Sequence, residues 1–236
     1  MTMIANHEER IVDLDGPDDD DGLPRERLSW SRLGCLFLLI AAACGVTYAI
    51  RQRSATGAPT TKSWSVPYVD ATLTPSYEFQ NPQSNPARDI VLAFVVADPK
   101  APCSPSWGGA YSLDKASESI ELDRRIAQLR AAGGQVMISF GGEANQELAV
   151  ACDNVAQLTA AYRAVVERYG ATEIDMDIEG TAVADTASIE RRAQAITALQ
   201  KERSAVDKPL GVWITAPVSP SGLTSEGEAM VTATIA

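Results

Sequence analysis

From residue 67 onward the chain alternates between two hydrophobic rhythms. Short runs of continuous or every-second apolar residues mark strands, and apolar residues three or four apart mark helices. Residues 67–72 give a possible first strand. Residues 90–97 (IVLAFVVA) form a near-continuous apolar run, the kind buried on both faces of a parallel sheet. Helical spacing follows over 119–132, through Ile120, Ile126, Leu129 and Ala132, and stops at Gly133-Gly134. The next strand, 135–140 (QVMISF), closes on Gly141-Gly142. A helix over 155–169 presents Leu158, Tyr162, Val165, Val166 and Tyr169 on one side; Asn154 and Gln157 open it as a variant capping box and Gly170 ends it. After an acidic strand, 173–179, comes a helix over about 186–204 with Ile189, Ala193, Ile196 and Leu199 inward. A strand over 210–216 (LGVWITA) follows, and the sequence finishes at Ala236 within what reads as a fifth helix.

Strand and helix in alternation, at roughly 40 residues per unit, imply right-handed βαβ units and a parallel sheet. That leaves an open doubly wound sheet or a (β/α)8 barrel of the TIM type. No dinucleotide or P-loop glycine fingerprint is present. Strand 173–179 (EIDMDIE) alternates strictly. Its carboxylates at 173, 175, 177 and 179 share one face, and Ile174, Met176 and Ile178 share the other. Stacked carboxylates raise one another's pKa, a cost that an ordinary solvated strand edge has no reason to bear. The pattern favours a catalytic cluster over a merely acidic edge. Acids at the C-terminal end of a parallel strand also occupy the place where barrels hold their catalytic groups. In a barrel Asp175, Asp177 and Glu179 face the mouth while Ile174, Met176 and Ile178 pack on the helices. The expected fold is therefore a (β/α)8 barrel, apparently incomplete, with about five βα units where the full fold needs eight.

Upstream the character changes. Residues 1–32 carry nine acids against four arginines and read as a disordered acidic leader. Residues 33–50 (LGCLFLLIAAACGVTYAI) run 18 residues without a charge, which just reaches a membrane span. A secretory signal core and lipid attachment at Cys44 are the alternatives, and the long leader suits an uncleaved signal-anchor better than either. Residues 51–66 are a linker, and 67–236 are the globular domain. The globular part is thus expected outside the cytoplasm, membrane-anchored or secreted. Net charge is −11 with no basic stripe, which argues against a nucleic-acid partner. The one histidine, His7, lies in the leader, so no Ser-His-Asp or Cys-His nucleophile system and no His-ligated zinc is available to the domain. Acid–base chemistry there falls to carboxylates.

Ile174-Asp175-Met176-Asp177-Ile178-Glu179 resembles the strand-four signature of glycoside hydrolase family 18, the chitinases and endo-β-N-acetylglucosaminidases. Ser139-Phe140-Gly141-Gly142 is similar to the family's strand-three Ser-x-Gly-Gly motif, at the right distance upstream. Trp107-Gly108-Gly109 after Cys103, and Tyr68-Val69-Asp70, resemble a secreted bacterial chitinase branch. The signature usually begins Asp-Gly, where this chain has Thr172 and Glu173, and the family's sixth- and eighth-strand sugar contacts lie beyond Ala236. The resemblance implies cleavage of β-1,4-linked N-acetylglucosamine polymers, a polysaccharide substrate and no cofactor or metal. Glu179 would protonate the leaving oxygen. The substrate's own N-acetyl group would attack, with Asp177 holding the acetamido nitrogen and Asp175 beneath it.

Ser139, Gly141, Gly142, Trp107 and Tyr111 are the candidate substrate-binding residues. For the glycines a tight βα turn, and for the two aromatics packing within a loop, are the competing readings. Tyr68 and Asp70 read as structural. Cys103 and Cys152 fall in neighbouring βα loops and are expected to pair in an exported protein. Two other functions stay open: a barrel that binds the polymer without cutting it (or an inactive fragment), and an acidic cation site on Asp175, Asp177 and Glu179.

Overall fold

The computed structural model describes residues 66–86 and 88–235. The leader, the apolar segment 33–50 and all but the last residue of the linker lie outside them. Among the described residues no helix is long and apolar enough to cross a membrane.

In chain order, β1 (Tyr68–Asp70) and β2 (Ile90–Asp98) lead into a hairpin of β3 (Ala101–Trp107) and β4 (Tyr111–Ser112), then α1 (Leu113–Ser119) and α2 (Leu122–Ala131). β5 (Val136–Gly141), the short α3 (Leu148–Ala151) and α4 (Val155–Arg168) precede β6 (Glu173–Asp177). A 3-10 turn (Gly180–Val183), α5 (Thr186–Ser204) and β7 (Gly211–Thr215) follow, then a small hairpin of β8 (Val218–Ser219) and β9 (Gly222–Leu223), and α6 (Ser225–Ile235). Strands β1, β2, β5, β6 and β7 lie side by side and parallel, the order that successive βα units of a barrel generate. The arc they form is open: among the described residues β7 is the end of the path and no strand closes it onto β1. The expected (β/α)8 class thus holds as an α/β fold with a mixed sheet, not as a closed barrel.

The sheet is mixed because β2 is longer than its neighbours need. Its first half pairs with β1 through Val91–Ala93. Its second half continues along the same edge with antiparallel β3, from Val95↔Trp107 to Asp98↔Ala101. This hairpin replaces the plain βα loop expected around Trp107 and Tyr111, which face each other in its register. Pro102 and Pro105 disguise β3, since proline is confined to strand edges where no ladder donor is required.

Alternation then sorts the strand residues. Ile138, Phe140, Ile174 and Met176 point to the helical side and are buried. Phe140 meets the Tyr162 ring of α4 edge-on, centroids 5.1 Å apart. All five inward residues expected of α4 are buried, each full burial of such a side chain contributing about 1.5–3 kcal/mol. Asn154 caps α4 by accepting the Gln157 N–H at 3.0 Å. α5 runs over the expected 186–204, capped by Asp185 and closed by Lys201 and Arg203 near its negative C-terminal end. The helix expected over 119–132 is α2, which starts later, after a separate short α1 over Leu113–Ser119. Glu121 takes a left-handed conformation (φ 51°) and starts α2 afresh at Leu122.

Cys103 of β3 is joined by a disulfide to Cys152, just past α3, with their Cα atoms 4.7 Å apart and a sequence separation of 49. Closing a loop of that length removes about 4 kcal/mol of unfolded-chain entropy, and measured effects of native disulfides centre near 2–4 kcal/mol. Reduction, or Cys103→Ser with Cys152→Ser, is expected to lower the melting temperature by several degrees in a thermal scan. An unchanged melt would show that the hairpin is held without it.

Candidate active site

The acids sit where β6 leaves the sheet. Glu173 begins the strand and is only half-buried; Asp175 and Asp177, on the inner face, are 1% and 5% exposed. Glu179 follows the strand in an extended conformation (φ −129°, ψ 173°), so the alternation carries it to the same side. Ile174, Met176 and Ile178 are buried on the other.

Each carboxyl meets a different environment. Asp175 is saturated by hydroxyls: Ser139 Oγ donates to Oδ2 at 2.6 Å, Tyr68 Oη to the same oxygen at 3.1 Å, and Thr215 Oγ1 to Oδ1 at 2.8 Å. These donors come from β5, β1 and β7, so one carboxylate ties together strands from across the arc. Tyr68 and Thr215 also lie within hydrogen-bond distance of each other, at 3.0 Å. Burial, opposed by the Thr215 hydrogen bond and reinforced by Asp175 and Asp177, pushes the Tyr68 phenol up to about 12, so it keeps the proton it donates.

Asp177 is the opposite case. Its Oδ1 is buried and has no hydrogen-bond partner. Burial first, then the charges of Glu179 and Asp175, then a proton-sharing contact with Glu179, lift its pKa from the ordinary 3.8 to about 7. Asp177 and Glu179 line a cleft of about 550 Å³ together with Tyr68, Phe94, Glu143 and Thr215. A larger groove, about 900 Å³, is lined by Arg163, Thr172, Arg203 and Pro209. Thr172 and Pro209 precede β6 and β7, so that groove is at the far end of the sheet from the acids. Among the described residues no group of three or more His, Cys, Asp or Glu side chains is arranged to hold a metal ion.

The sequence-nominated binding residues separate. Ser139 is fully buried and spends its hydroxyl on Asp175, which makes it a positioning group. Gly141 (φ 103°) and Gly142 (φ 83°) are required by the chain itself. A Cβ on Gly141 would run into the Asp177 carbonyl oxygen, and one on Gly142 would sit 3.1 Å from the Phe94 ring. The Gly142 N–H donates to that same Asp177 carbonyl at 2.8 Å. The backbone that approaches these glycines is β6. Trp107 is fully buried, its indole N–H donating to Tyr169 Oη at 2.9 Å, so it offers no face to a sugar and the packing alternative holds for it. Tyr111 packs partly against the core and does not line the acid cleft.

Comparison with known proteins adds a second line. The chain is 39% identical over 171 residues to a probable bifunctional chitinase/lysozyme of Escherichia coli (strain K12), covering 70% of this chain and 19% of that protein. It is 38% identical over 172 residues to endochitinase 11 of Metarhizium anisopliae, covering 70% of this chain and 31% of the relative. Its fold matches active domain 2 of a chitinase from Pyrococcus furiosus with a TM-score of 0.60 at 26% identity, over 72% of this chain and 51% of that one. A family GH18 chitinase of Chromobacterium violaceum shares the fold, with a TM-score of 0.51 at 19% identity over 71% of this chain and 46% of that one.

These similarities to chitinases support a place in glycoside hydrolase family 18. No family model matches this sequence. The chain spans less than a third of the length of either relative.

Tyr68 and Thr215, with Phe94 and Glu143, are members of the site that sequence reading did not assign. Thr215 carries a signal in hindsight: it ends its strand in register with Asp177, on the acid face. Tyr68 belongs to the Tyr68-Val69-Asp70 resemblance and read as structural, but its link to Asp175, across 107 residues, had no signal in the sequence.

The raised Asp177 pKa fixes a pH dependence. The folded chain holds this proton at pH values where the unfolded chain has released it. Asp177 therefore draws stability down as pH rises from about 4 to about 7. Asp177→Asn, a neutral mimic of the protonated form, is expected to melt above the wild type at about pH 7.5, with the gap closing towards pH 4. Parallel melting curves across that range would contradict the assignment.

Proposed function

We propose that this chain is a family 18, chitinase-like glycoside hydrolase that cleaves β-1,4-linked N-acetylglucosamine polymers with substrate assistance and retention. The observation that carries the reading is the pairing of a buried, unpartnered Asp177 Oδ1 with Glu179 in one cleft. An acetamido group offers the N–H that this acceptor lacks. Glu179, beside a carboxyl that holds a proton near neutrality, suits the role of general acid.

Glu179 donates its proton to the glycosidic oxygen as the bond to the anomeric carbon breaks. The acetamido carbonyl oxygen closes on that carbon, giving an oxazolinium ion, while Asp177 Oδ1 accepts the acetamido N–H and holds the group in place. The Glu179 carboxylate then takes a proton from water, which attacks the same carbon and reopens the ring with net retention. Asp175, held by three hydroxyls, fixes the base of the stack and adds the negative charge that keeps a proton on Asp177.

The same reading places the domain outside the cytoplasm, on a membrane through residues 33–50 or released from it. Support comes from the 18-residue uncharged run and from the Cys103–Cys152 disulfide, a bond that persists in oxidising compartments.

Glu179→Gln removes the transferable proton and leaves the shape of the cleft. Turnover of a chromogenic chitooligosaccharide is expected to fall about 10²–10⁴-fold, with substrate affinity retained. Equal turnover in wild type and variant would remove Glu179 from the chemistry. Tight binding with no turnover in either would favour a binding barrel.

A further inference from the structure

Behind the acid cleft, on the helical side of β5, lies a buried ion pair that the reaction does not use. Glu147 and Arg192 are 5% and 1% exposed and join at 2.9 Å. Glu147 Oε2 also accepts the N–H groups of Ala149 (2.8 Å) and Val150 (3.1 Å), capping α3. Its Oε1 accepts Tyr162 Oη of α4 at 3.2 Å and Arg192 Nε of α5 at 3.4 Å. One carboxylate therefore gathers α3, α4 and α5. Arg192 Nη1 finds no partner, so the charges are not fully compensated. Apolar residues of similar volume commonly hold such a position at least as firmly, so stability alone is a weak reason for an ion pair here.

Position supplies a better reason. A Cβ built on Gly141 points at Glu147 Cγ, 3.6 Å away, as well as at the Asp177 carbonyl. Gly141 pairs with Asp177 in the β5–β6 register, and the next N–H, from Gly142, donates to that carbonyl. Just before Glu147, the carbonyl of Gln146 accepts the Ala97 N–H at 2.9 Å, fastening the same loop to β2. The space left by the missing Gly141 side chain is thus bordered by both the Glu147 side chain and the end of β6. That end is where the chain must present Asp177 and Glu179.

We infer that Glu147, clamped by Arg192 and Tyr162, is a positioning residue that sets the Gly141-Gly142 turn against β6 and thereby fixes the buried placement of the Asp177 carboxyl. The inference rests on the hydrolase reading of the cleft but acts on the Asp177 environment, which can be measured without turnover. Loosening the turn lets the end of β6 move and water reach Asp177. Small displacements of this kind cost rate far more than they cost binding.

Two variants test it. Glu147→Gln leaves Arg192 charged and unpaired, which can impair folding. Glu147→Gln with Arg192→Met removes both charges and keeps the fold accessible. The readouts are the carbon-13 titration of the Asp177 carboxyl, the melting temperature, and kcat and KM on a chitooligosaccharide. The double variant is expected to fold, to lower the Asp177 midpoint by about half a unit or more, and to lose about tenfold or more in kcat at nearly constant KM. Restoring Glu147 in the Arg192→Met background is expected to recover part of both. A double variant with the wild-type Asp177 midpoint and kcat, altered only in melting temperature, would overturn the inference and leave Glu147 as scaffold. A wild-type chain whose Asp177 titrates as an ordinary carboxyl would overturn both the inference and the site reading beneath it. A normal raised midpoint without turnover would overturn the hydrolase reading alone, leaving the midpoint shift to decide the positioning role.

Discussion

Three carboxyls following one another along one face of a strand repel, and the end of β6 exists in its folded form only because each repulsion is met separately. Asp175 receives three hydroxyl hydrogen bonds from three other strands. Asp177, which receives none at Oδ1, retains a proton to near neutrality. Glu179 lies beyond the last strand residue, where the cleft opens. A graded series results, from saturated through protonated to accessible. Reversing it would place an uncompensated charge in the interior.

Much of the surrounding fold serves that series. The parallel order β1-β2-β5-β6-β7 brings Tyr68, Ser139 and Thr215 to one carboxylate although they are scattered along the chain. Gly141, which ends β5, lets its backbone touch that of β6 where any side chain would separate them. The buried Glu147–Arg192 pair stands behind that contact. The disulfide fastens the β3 hairpin to the segment following α3, which Glu147 caps. The site is therefore supported from its helical side as well as from within the arc.

The fold was legible in the chain wherever a regular period ran long enough. α4 and α5 follow from three-to-four spacing with capping residues, and the five parallel strands from short apolar runs between them. The alternation 173–179 showed which acids share a face without any tertiary information. What escaped had physical reasons. The β3–β4 hairpin is built from prolines and polar residues whose strand character comes from pairing with the overlong β2. Arg192 occupies a buried helix position expected of an apolar residue such as the neighbouring Ala193, and only Glu147, 45 residues earlier, makes that tolerable. Ser139 reads as a substrate contact in a motif, but its hydroxyl is turned inward by the register that sets it opposite Asp175. About five βα units were legible where a full barrel needs eight. The described strands form an open arc.

The location of a single proton tests this account most directly. Neutron diffraction from deuterium-exchanged protein at about pH 6 would place it, since that pH lies above the ordinary aspartate range and below the raised value of Asp177. The account expects a deuteron on Asp177, on the oxygen turned towards Glu179, with Oδ1 bare and the hydroxyl deuterons of Ser139, Tyr68 and Thr215 directed at Asp175. An ionised Asp177 at that pH, with its side chain swung into solvent, would contradict it.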